Sequence, residues 1–187
     1  MVAFNLIPFI ESKHRDQLKI QGEWKDLFSP LTLNLQGNFS YINWPKLHSG
    51  RMFTPTPEMR RDQLWQQTCV ELFLRPENSP LYWEFHFTPE GYWNFFSFTE
   101  YRQGMTPVYL PQYFSWSFTL NKSQELTFSL QLNLSPDFWS VHEGTWFFHP
   151  TIVLADTQNE KSYWAWGHPA QAPDFHLPLL HQLKVYR

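Results

Sequence analysis

A single cysteine, Cys69, is present among the 187 residues, which excludes a disulfide bond between two positions of the chain. It also excludes zinc sites built on cysteine pairs, and the eight histidines show no spacing typical of a metal-binding motif. Cys69 lies between apolar neighbours in a strand-like stretch, so we expect a buried and inert thiol. The sequence therefore predicts neither a disulfide-stabilised fold nor a metal site.

Long apolar runs and an excess of positive charge are also missing. The first fifteen residues, MVAFNLIPFIESKHR, lack a basic start and are interrupted by Pro8, which fits neither a signal peptide nor a membrane span. The 14 Lys and Arg residues are outnumbered by 17 Asp and Glu residues, for a net charge of -3. We therefore expect a cytoplasmic protein that binds neither nucleic acid nor a membrane surface.

Aromatic residues and proline are abundant instead. Phe, Trp and Tyr make up 19% of the chain, and 15 prolines contrast with only 7 glycines. Aromatic residues favour strands and proline punctuates loops, so this composition predicts an all-β protein, and its length suits one domain over residues 1–187. Most rings are expected to pack in the core, but 10 tryptophans are more than packing usually requires.

The stretch from Leu64 to Met105 is predicted to form three consecutive strands joined by two turns. Apolar residues alternate along its first two segments, which is the period of a β-strand. Turn residues at Pro76–Pro80 and Pro89–Gly91 separate the segments, and loops this short favour antiparallel neighbours. An antiparallel meander is therefore predicted at the centre of the fold.

Further strands are predicted on both sides of this meander. Gly37-Asn38 is expected to form a two-residue hairpin turn. Trp146–Ala155 is expected to form a strand that is buried on both faces or lies at the centre of a sheet. Tyr163–Gly167 is predicted to be the last strand, and Ser135–Trp139 a short helical turn. Together these elements predict nine or ten strands in two packed antiparallel sheets.

The clearest hairpin is predicted over Phe114–Leu134, where apolar and polar residues alternate on both strands. The residues expected to be buried are Phe114, Trp116, Phe118, Leu126, Phe128, Leu130 and Leu132. Those expected to face outward are Ser115, Ser117, Thr127 and Ser129.

Polar residues inside the predicted meander are the first candidates for chemistry. If its strands pair in order, Glu71 and Glu84 lie near one another across the sheet, and two close carboxylates can act in general acid-base catalysis. Their alternative is an ordinary hydrogen-bonded or solvent-facing strand surface. Arg60-Arg61-Asp62 can likewise clamp a ligand or form a solvated loop, and Arg102 can anchor its loop or point into a site.

Two blocks of sequence resemble the bacterial DOMON-like family, which is similar to type 9 carbohydrate-binding modules. The first block comprises Trp65-(x)3-Cys69-Val70-Glu71-Leu72-Phe73-Leu74, Tyr82-Trp83-Glu84-Phe85, Thr88-Pro89-Glu90-Gly91 and Tyr101-Arg102-(x)2-Met105. The second comprises Leu154-Ala155-Asp156-Thr157-Gln158, Lys161-Ser162-Tyr163-Trp164-Ala165, His168-Pro169 and Pro173-Asp174-Phe175-His176. The resemblance implies an immunoglobulin-like antiparallel β-sandwich of about ten strands, in a superfamily that binds sugars or haem.

A non-catalytic domain that binds a small ligand, with carbohydrate as the first choice, is therefore expected. A sugar offers an apolar ring face and many hydroxyls, which aromatic surfaces and directed polar groups can satisfy together. Trp164 and Trp166 share a parity, so they are predicted to present rings on one strand face, unless they only close the core. The expected ligand-binding residues are Trp65, Glu71, Trp93, Tyr101, Arg102, Trp164, Trp166 and His168.

Two alternatives remain open. No cofactor is expected, but kinship also implies a haem-binding module, whose relatives use Met and His as axial ligands. The candidate ligands are Met52, Met59, Met105, His149, His168 and His176. The other alternative is a small glycan-acting enzyme built on Glu71 and Glu84.

Overall fold

The computed structural model describes residues 1–12, 16–26, 28–44, 47–109, 114–123, 125–134, 138, 144–169 and 171–185. Thirteen β-strands follow one another in these residues. They are β1 (Val2–Pro8), β2 (Leu18–Trp24), β3 (Leu31–Gly37), β4 (Met52–Phe53), β5 (Cys69–Pro76), β6 (Tyr82–Phe87), β7 (Trp93–Phe98), β8 (Thr106–Pro107), β9 (Phe114–Leu120), β10 (Leu126–Leu132), β11 (Trp146–Ala155), β12 (Lys161–Ala165) and β13 (Leu183–Val185). Single turns of 3-10 helix lie at Pro57–Met59, Leu64–Gln66 and Pro178–Leu180. Among the described residues, no helix is long and apolar enough to cross a membrane.

The strands form one curled antiparallel sheet. Its order is β4-β9-β10-β3-β2-β1-β12-β11-β5-β6-β7-β8, and β13 pairs with β11 outside this path. The first half of the sheet ends at β1 and the second half begins at β12. The predicted all-β antiparallel class is confirmed. The prediction of nine or ten strands in two packed sheets is not, because the thirteen strands of the described residues form one continuous sheet.

Strand β1, which the sequence did not predict, joins the two halves. Its residues Val2–Leu6 pair with β2, and Ile7 and Pro8 pair with β12. Phe4 and Leu6 are buried while their neighbours are exposed, so the strand has the usual period of two. Pro8 terminates it, because proline cannot donate to a sheet ladder.

The main core lies between the two halves, on what we call the inner face of the sheet. Trp24 of the first half meets Phe148 of the second at a ring-centroid distance of 4.8 Å. Phe87 in turn packs against Trp116 at 5.3 Å and Phe128 at 5.8 Å. Burial of these large rings is the main stabilising contribution expected in this fold.

The predicted central meander is confirmed as β5, β6 and β7. Val70 pairs with Phe87 across β5 and β6, and Phe85 pairs with Phe95 across β6 and β7. Strand β11 lies between β12 and β5 and is buried along nearly its whole length, as its continuous apolar run predicted. These strands are buried on both faces, because a second cluster that includes Phe73, Phe96 and Phe175 covers the outer face.

The predicted β9–β10 hairpin is also confirmed in its register. Phe128 pairs with Phe118 and Leu130 with Trp116, and all seven residues expected to be buried are buried. Ser117 was expected to face outward but is 8% exposed, and it pairs with Met52 of the short edge strand β4.

The hairpin predicted at Gly37-Asn38 is wrong. Strand β3 ends at Gly37, and the described residues that follow form no returning strand. Instead, Ile42 forms an isolated bridge to Asp156, just after the end of β11. Gly37 has φ of +135°, and a Cβ atom there would lie 2.0 Å from the carbonyl oxygen of Gln17. Glycine is therefore required by the close approach of the backbone at Gln17 and by the positive φ, and not by a hairpin turn. The helical turn predicted at Ser135–Trp139 lies, except for residue 138, outside the described residues.

Candidate ligand-binding site

A cavity of about 480 Å³ opens on the outer face of the second half of the sheet. Strands β5, β6 and β7 form its floor, and the segment 171–183, called the C-terminal segment below, covers one side. The residues that line it are Trp65, Glu71, Glu84, Phe96, Phe98, Arg102, Met105, Val153, Tyr163, Pro173, Phe175 and His176. Its size is typical of small-molecule sites in proteins.

Two glutamates and a histidine form the polar floor, because they share a parity on neighbouring strands. Glu71 of β5 pairs directly with His86 of β6, and Glu84 lies two residues from His86 on the same face. The Nε2 atom of His86 is 2.7 Å from Oε1 of Glu84 and 3.7 Å from Oε1 of Glu71. The sequence-based expectation that the two carboxylates approach one another is confirmed.

Neighbouring side chains hold this floor in place. The hydroxyl of Thr151, on β11, donates to Oε2 of Glu71 at 3.1 Å. Edge-to-face contacts surround the His86 ring, with Trp65 at 5.7 Å and Phe96 at 5.9 Å between ring centroids. Since His86 is completely buried, only Glu71 and Glu84 of these three polar residues line the cavity.

Burial and the charges of neighbouring groups shift the pKa values of the three floor residues in different ways. Burial raises the pKa of Glu71 to about 7, with a further increase from Glu84 and an opposing effect of His86. Burial also acts against ionisation of Glu84, but His86 lowers the pKa of that carboxyl overall through its charge and hydrogen bond. Burial disfavours a charged His86, yet Glu84 and Glu71 raise its pKa. These opposed effects favour a charged Glu84–His86 pair beside a Glu71 carboxyl that readily holds a proton.

Aromatic rings form the walls above the floor. Phe98 stacks on Tyr82 with a centroid distance of 4.6 Å and an interplanar angle of 3°. The hydroxyl of Tyr82 is 2.7 Å from Nδ1 of His176 and accepts the backbone N–H of Arg102 at 3.2 Å. Tyr82 thus connects β6 to both the loop after β7 and the C-terminal segment.

A second set of contacts closes the rim. Nη2 of Arg102 donates to Oδ1 of Asp174 at 2.9 Å, and the hydroxyl of Tyr101 donates to Oδ2 of the same carboxylate. Both donors lower the pKa of Asp174, against the effect of its partial burial. Arg102 has φ of 55°, a left-handed conformation that aims its side chain across the gap to the C-terminal segment.

The structure brings together only some of the residues expected to bind a ligand. Trp65, Glu71 and Arg102 line the cavity. Tyr101 lies at its rim through Asp174, and His168 bonds through Nε2 to the carbonyl oxygen of Ile7 at 2.9 Å, outside the lining.

The other three expected residues lie elsewhere. Trp93 and Trp164 belong to the inner-face core, where they are 2% and 1% exposed. Trp166 is 38% exposed, but β12 ends at Ala165, so this ring does not continue the alternation of the strand. The paired surface predicted for Trp164 and Trp166 is therefore not present.

Several lining residues were missed by sequence reasoning. Phe96 and Phe98 share the parity of Glu84 across the β6–β7 pairing, so the alternation of β7 contained the signal that places them. Phe175 and His176 carry no local signal, because they reach the cavity from a segment more than 90 residues further along the chain than Tyr82. The sequence predicted His176 as a candidate haem ligand and as part of the block Pro173-Asp174-Phe175-His176 that carries the family resemblance.

Glu71, Glu84 and His86 also form the one group of metal-ligand type found in the described part of the chain, with ligand atoms within 4.8 Å of one another. Carboxylate and imidazole are ligands that divalent metals accept. In this structure two of these three residues, Glu84 and His86, are hydrogen-bonded to each other.

No protein-family model and no curated protein matches the chain. Its structure is similar to that of a proposed carbohydrate-binding protein from Bacteroides uniformis, with a TM-score of 0.60 and 12% identity over 99% of this chain and 85% of the other. It also matches a family 9 carbohydrate-binding module from Caldicellulosiruptor kristjanssonii, in complex with glucose (TM-score 0.45, 13% identity, 85% and 69% coverage) and with cellotriose (0.41, 16%, 86% and 70%). The first likeness establishes a common fold, and the DOMON-like resemblance stays a prediction.

Proposed function

We propose that the protein binds a small saccharide in the outer-face cavity. The observation that carries the proposal is the combination of buried, directed carboxylates at the floor with aromatic rings on the walls of one open cavity. Ring faces can stack on the apolar C–H surface of a sugar, while Glu71 and Glu84 accept hydrogen bonds from its hydroxyls. The fold shared with a proposed carbohydrate-binding protein supports the same class of ligand.

Trp65 is the residue best placed to stack on the sugar. The 3-10 turn Leu64–Gln66 holds it over the floor, its ring meets His86 edge-on, and 41% of its surface remains exposed. An exposed tryptophan beside a polar floor offers an apolar plane at little conformational cost.

Tryptophan fluorescence and isothermal titration calorimetry with a panel of monosaccharides and oligosaccharides test this proposal. We expect Trp65→Ala to weaken binding by about tenfold or more, since an aromatic contact contributes roughly 0.5–1.5 kcal/mol beyond the area it buries. Trp166→Ala is the matched control, because Trp166 has a similar exposure of 38% and does not line the cavity. Equal losses in both variants, or no response to any saccharide at millimolar concentration, would overturn the proposal.

A glycoside hydrolase is the second candidate, and the separation of the two glutamates favours it. One carboxylate oxygen of each glutamate lies within 4.8 Å of the other, which is compatible with the roughly 5–5.5 Å between the carboxyl groups of retaining glycosidases. Glu71, with a pKa of about 7, would serve as the acid, and Glu84, with its lowered pKa, as the nucleophile. Release of nitrophenol from aryl glycosides, abolished by Glu84→Gln, would support hydrolysis, and no turnover above the uncatalysed rate would exclude it.

The haem alternative fits the cavity poorly. Met105 and His176 both line it, and Nδ1 of His176 is engaged by Tyr82, which leaves Nε2 for a metal. The floor, however, would press the Glu71 and Glu84 carboxylates against an apolar macrocycle, at a large desolvation penalty. We expect no sharp Soret band when the purified protein is titrated with haem.

A further inference from the structure

The charges around the cavity balance only while Glu71 holds its proton. Two carboxylates, Glu71 and Glu84, face it from the floor, and only one cationic group, His86, lies beneath them. Arg102 adds no free positive charge, because Asp174 neutralises it at 2.9 Å. When both carboxylates are ionised, the floor therefore carries an excess negative charge in a largely buried position.

The remaining groups that face Glu71 do not change this inventory. They are Thr151 of β11, Tyr163 of β12, Trp65 of the 3-10 turn, His176 of the C-terminal segment and the thiol of Cys69 on β5, whose pKa burial raises. Burial lowers the pKa of His176, which favours its neutral form, and burial raises the pKa of Tyr163, which does the same for the phenol. No free cation faces the cavity among the described residues.

The geometry of the floor suits a single bridging cation with several N–H donors. Floor atoms of Glu71 and Glu84 lie within 4.8 Å of one another, so one nitrogen can approach both carboxylates at about 2.8 Å. Oε1 of Glu71 is 3.7 Å from His86, too far for a hydrogen bond, so this oxygen can take a donor from the cavity side. A primary ammonium offers three donors in a tetrahedral arrangement.

We propose that the saccharide bound here carries a primary amine, whose ammonium group bridges Glu71 and Glu84. This inference rests on the proposed saccharide binding and defines its substrate class as amino sugars. The ammonium balances the charge that His86 leaves uncompensated, while the ring stacks on Trp65. An acidic sugar would meet repulsion at the same floor.

Binding is then linked to a proton. With its pKa raised to about 7 by burial, Glu71 is still largely protonated at pH 6.5, and the incoming ammonium displaces that proton. Amino-sugar binding at pH 6.5 therefore releases protons, and its affinity rises as the pH increases toward 7. A neutral sugar, which can bond to either form of Glu71, has a weaker pH dependence.

Calorimetry in the presence of EDTA compares D-glucose with the three glucose derivatives that carry an amine at C2, C3 or C6, and with D-glucuronate. We expect at least one amine to bind about tenfold or more tighter than glucose, as charge-assisted hydrogen bonds are roughly twice as strong as neutral ones. Glucuronate should bind more weakly than glucose. Titrations at pH 6.5 in two buffers of different ionisation enthalpy should show proton release for the amine alone.

Variants separate this inference from the proposed function. In Glu71→Gln the ratio of amine to glucose affinity should fall toward one, and Glu84→Gln provides a second test of the same bridge. Glu23→Gln, an exposed substitution on β2 in the other half of the sheet, should keep the full ratio. Glucose binding without an amine preference, or a preference that survives both floor variants, overturns the inference and leaves saccharide binding intact. Failure of every sugar to bind overturns both.

Discussion

Arg102 and Asp174 form an ion pair of 2.9 Å that ties the loop after β7 to the C-terminal segment. The two residues are 72 positions apart in the chain, yet together they set the rim of the cavity. Tyr101 donates to the same carboxylate, so Asp174 binds two consecutive residues of this loop, Tyr101 and Arg102. Pro173, Phe175 and His176 line the cavity only while this segment stays docked.

Asp174→Asn should therefore weaken ligand binding more than it weakens the fold. The Arg102 side chain is 50% exposed, and pairs of this kind contribute at most about 1 kcal/mol to stability. We expect a several-fold increase in Kd with a small change in melting temperature. Glu77→Gln is the matched control, since it removes the exposed Lys184–Glu77 pair away from the cavity. Equal effects of the two variants on Kd would exclude a role of the rim.

Glu71→Gln should stabilise the protein at alkaline pH. The pKa of Glu71 is raised to about 7 in the folded state, above its value in the unfolded chain, so unfolding releases a proton between these values. The stability of the native protein then falls as the pH rises from about 4.5 through 7. Glutamine mimics the protonated carboxyl, and we expect a gain of about 1–3 kcal/mol at pH 8 in urea denaturation.

The same comparison at pH 5 provides the internal control. There the native carboxyl is already protonated, so the gain from Glu71→Gln should nearly vanish. Glu23→Gln, exposed on β2, should change stability little at either pH. A gain that is the same at pH 5 and pH 8 would contradict a raised pKa at Glu71.

Acid should destabilise the docked C-terminal segment through His181. Burial lowers the pKa of His181 to about 4, and its Nε2 donates to the carbonyl oxygen of Phe175 at 3.2 Å. Its ring stacks on His149, whose pKa burial also lowers. The folded state thus binds fewer protons than the unfolded chain below pH 6.5, and stability is lost as the pH falls toward 4.

His181→Leu tests this origin of acid sensitivity. The variant loses the bond to Phe175 at every pH, but its stability should fall less between pH 7 and pH 4 than that of the native protein. The native protein should lose about 3 kcal/mol more stability than the variant over this range, because the pKa of His181 is lowered from 6.5 to about 4. His48→Leu is the comparison, since His48 lies in a loop of the other half. Parallel pH profiles for native protein and His181→Leu would contradict the prediction.

Phe128→Ala should cost about 3–5 kcal/mol, the range for removing a large ring from a packed core. Phe128 is completely buried, contacts Phe118 at 5.0 Å on its own half and Phe87 at 5.8 Å on the opposite half. Ser129→Ala, on the other face of β10, should change stability by no more than about 0.5 kcal/mol. Urea denaturation measures both, and a loss below about 1 kcal/mol for Phe128→Ala would be incompatible with this register.

The local pattern of the central strands follows from their amino-acid sequence. In β5, β6 and β9–β10 the chain alternates with a period of two, and backbone geometry then assigns each residue to a face. That pattern placed Glu71 and Glu84 on one surface of neighbouring strands, because a short turn leaves antiparallel pairing as the only arrangement. The polar floor of the cavity was predictable for this reason.

Tertiary structure alone decided how this floor became a cavity. The pairing of β1 with β12 depends on contacts between segments that are distant in the sequence. The close approach of Gly37 to the carbonyl oxygen of Gln17, in place of a hairpin turn, likewise depends on how the strands pair. The side of the cavity comes from Phe175 and His176, which dock through Tyr82 across 94 residues of sequence. Trp164 packs in the inner-face core and Trp65 lines the outer-face cavity, although the local sequence does not distinguish the two tryptophans. Alternation determines only which residues share a face of a strand. The burial of each face depends on which distant segment covers it.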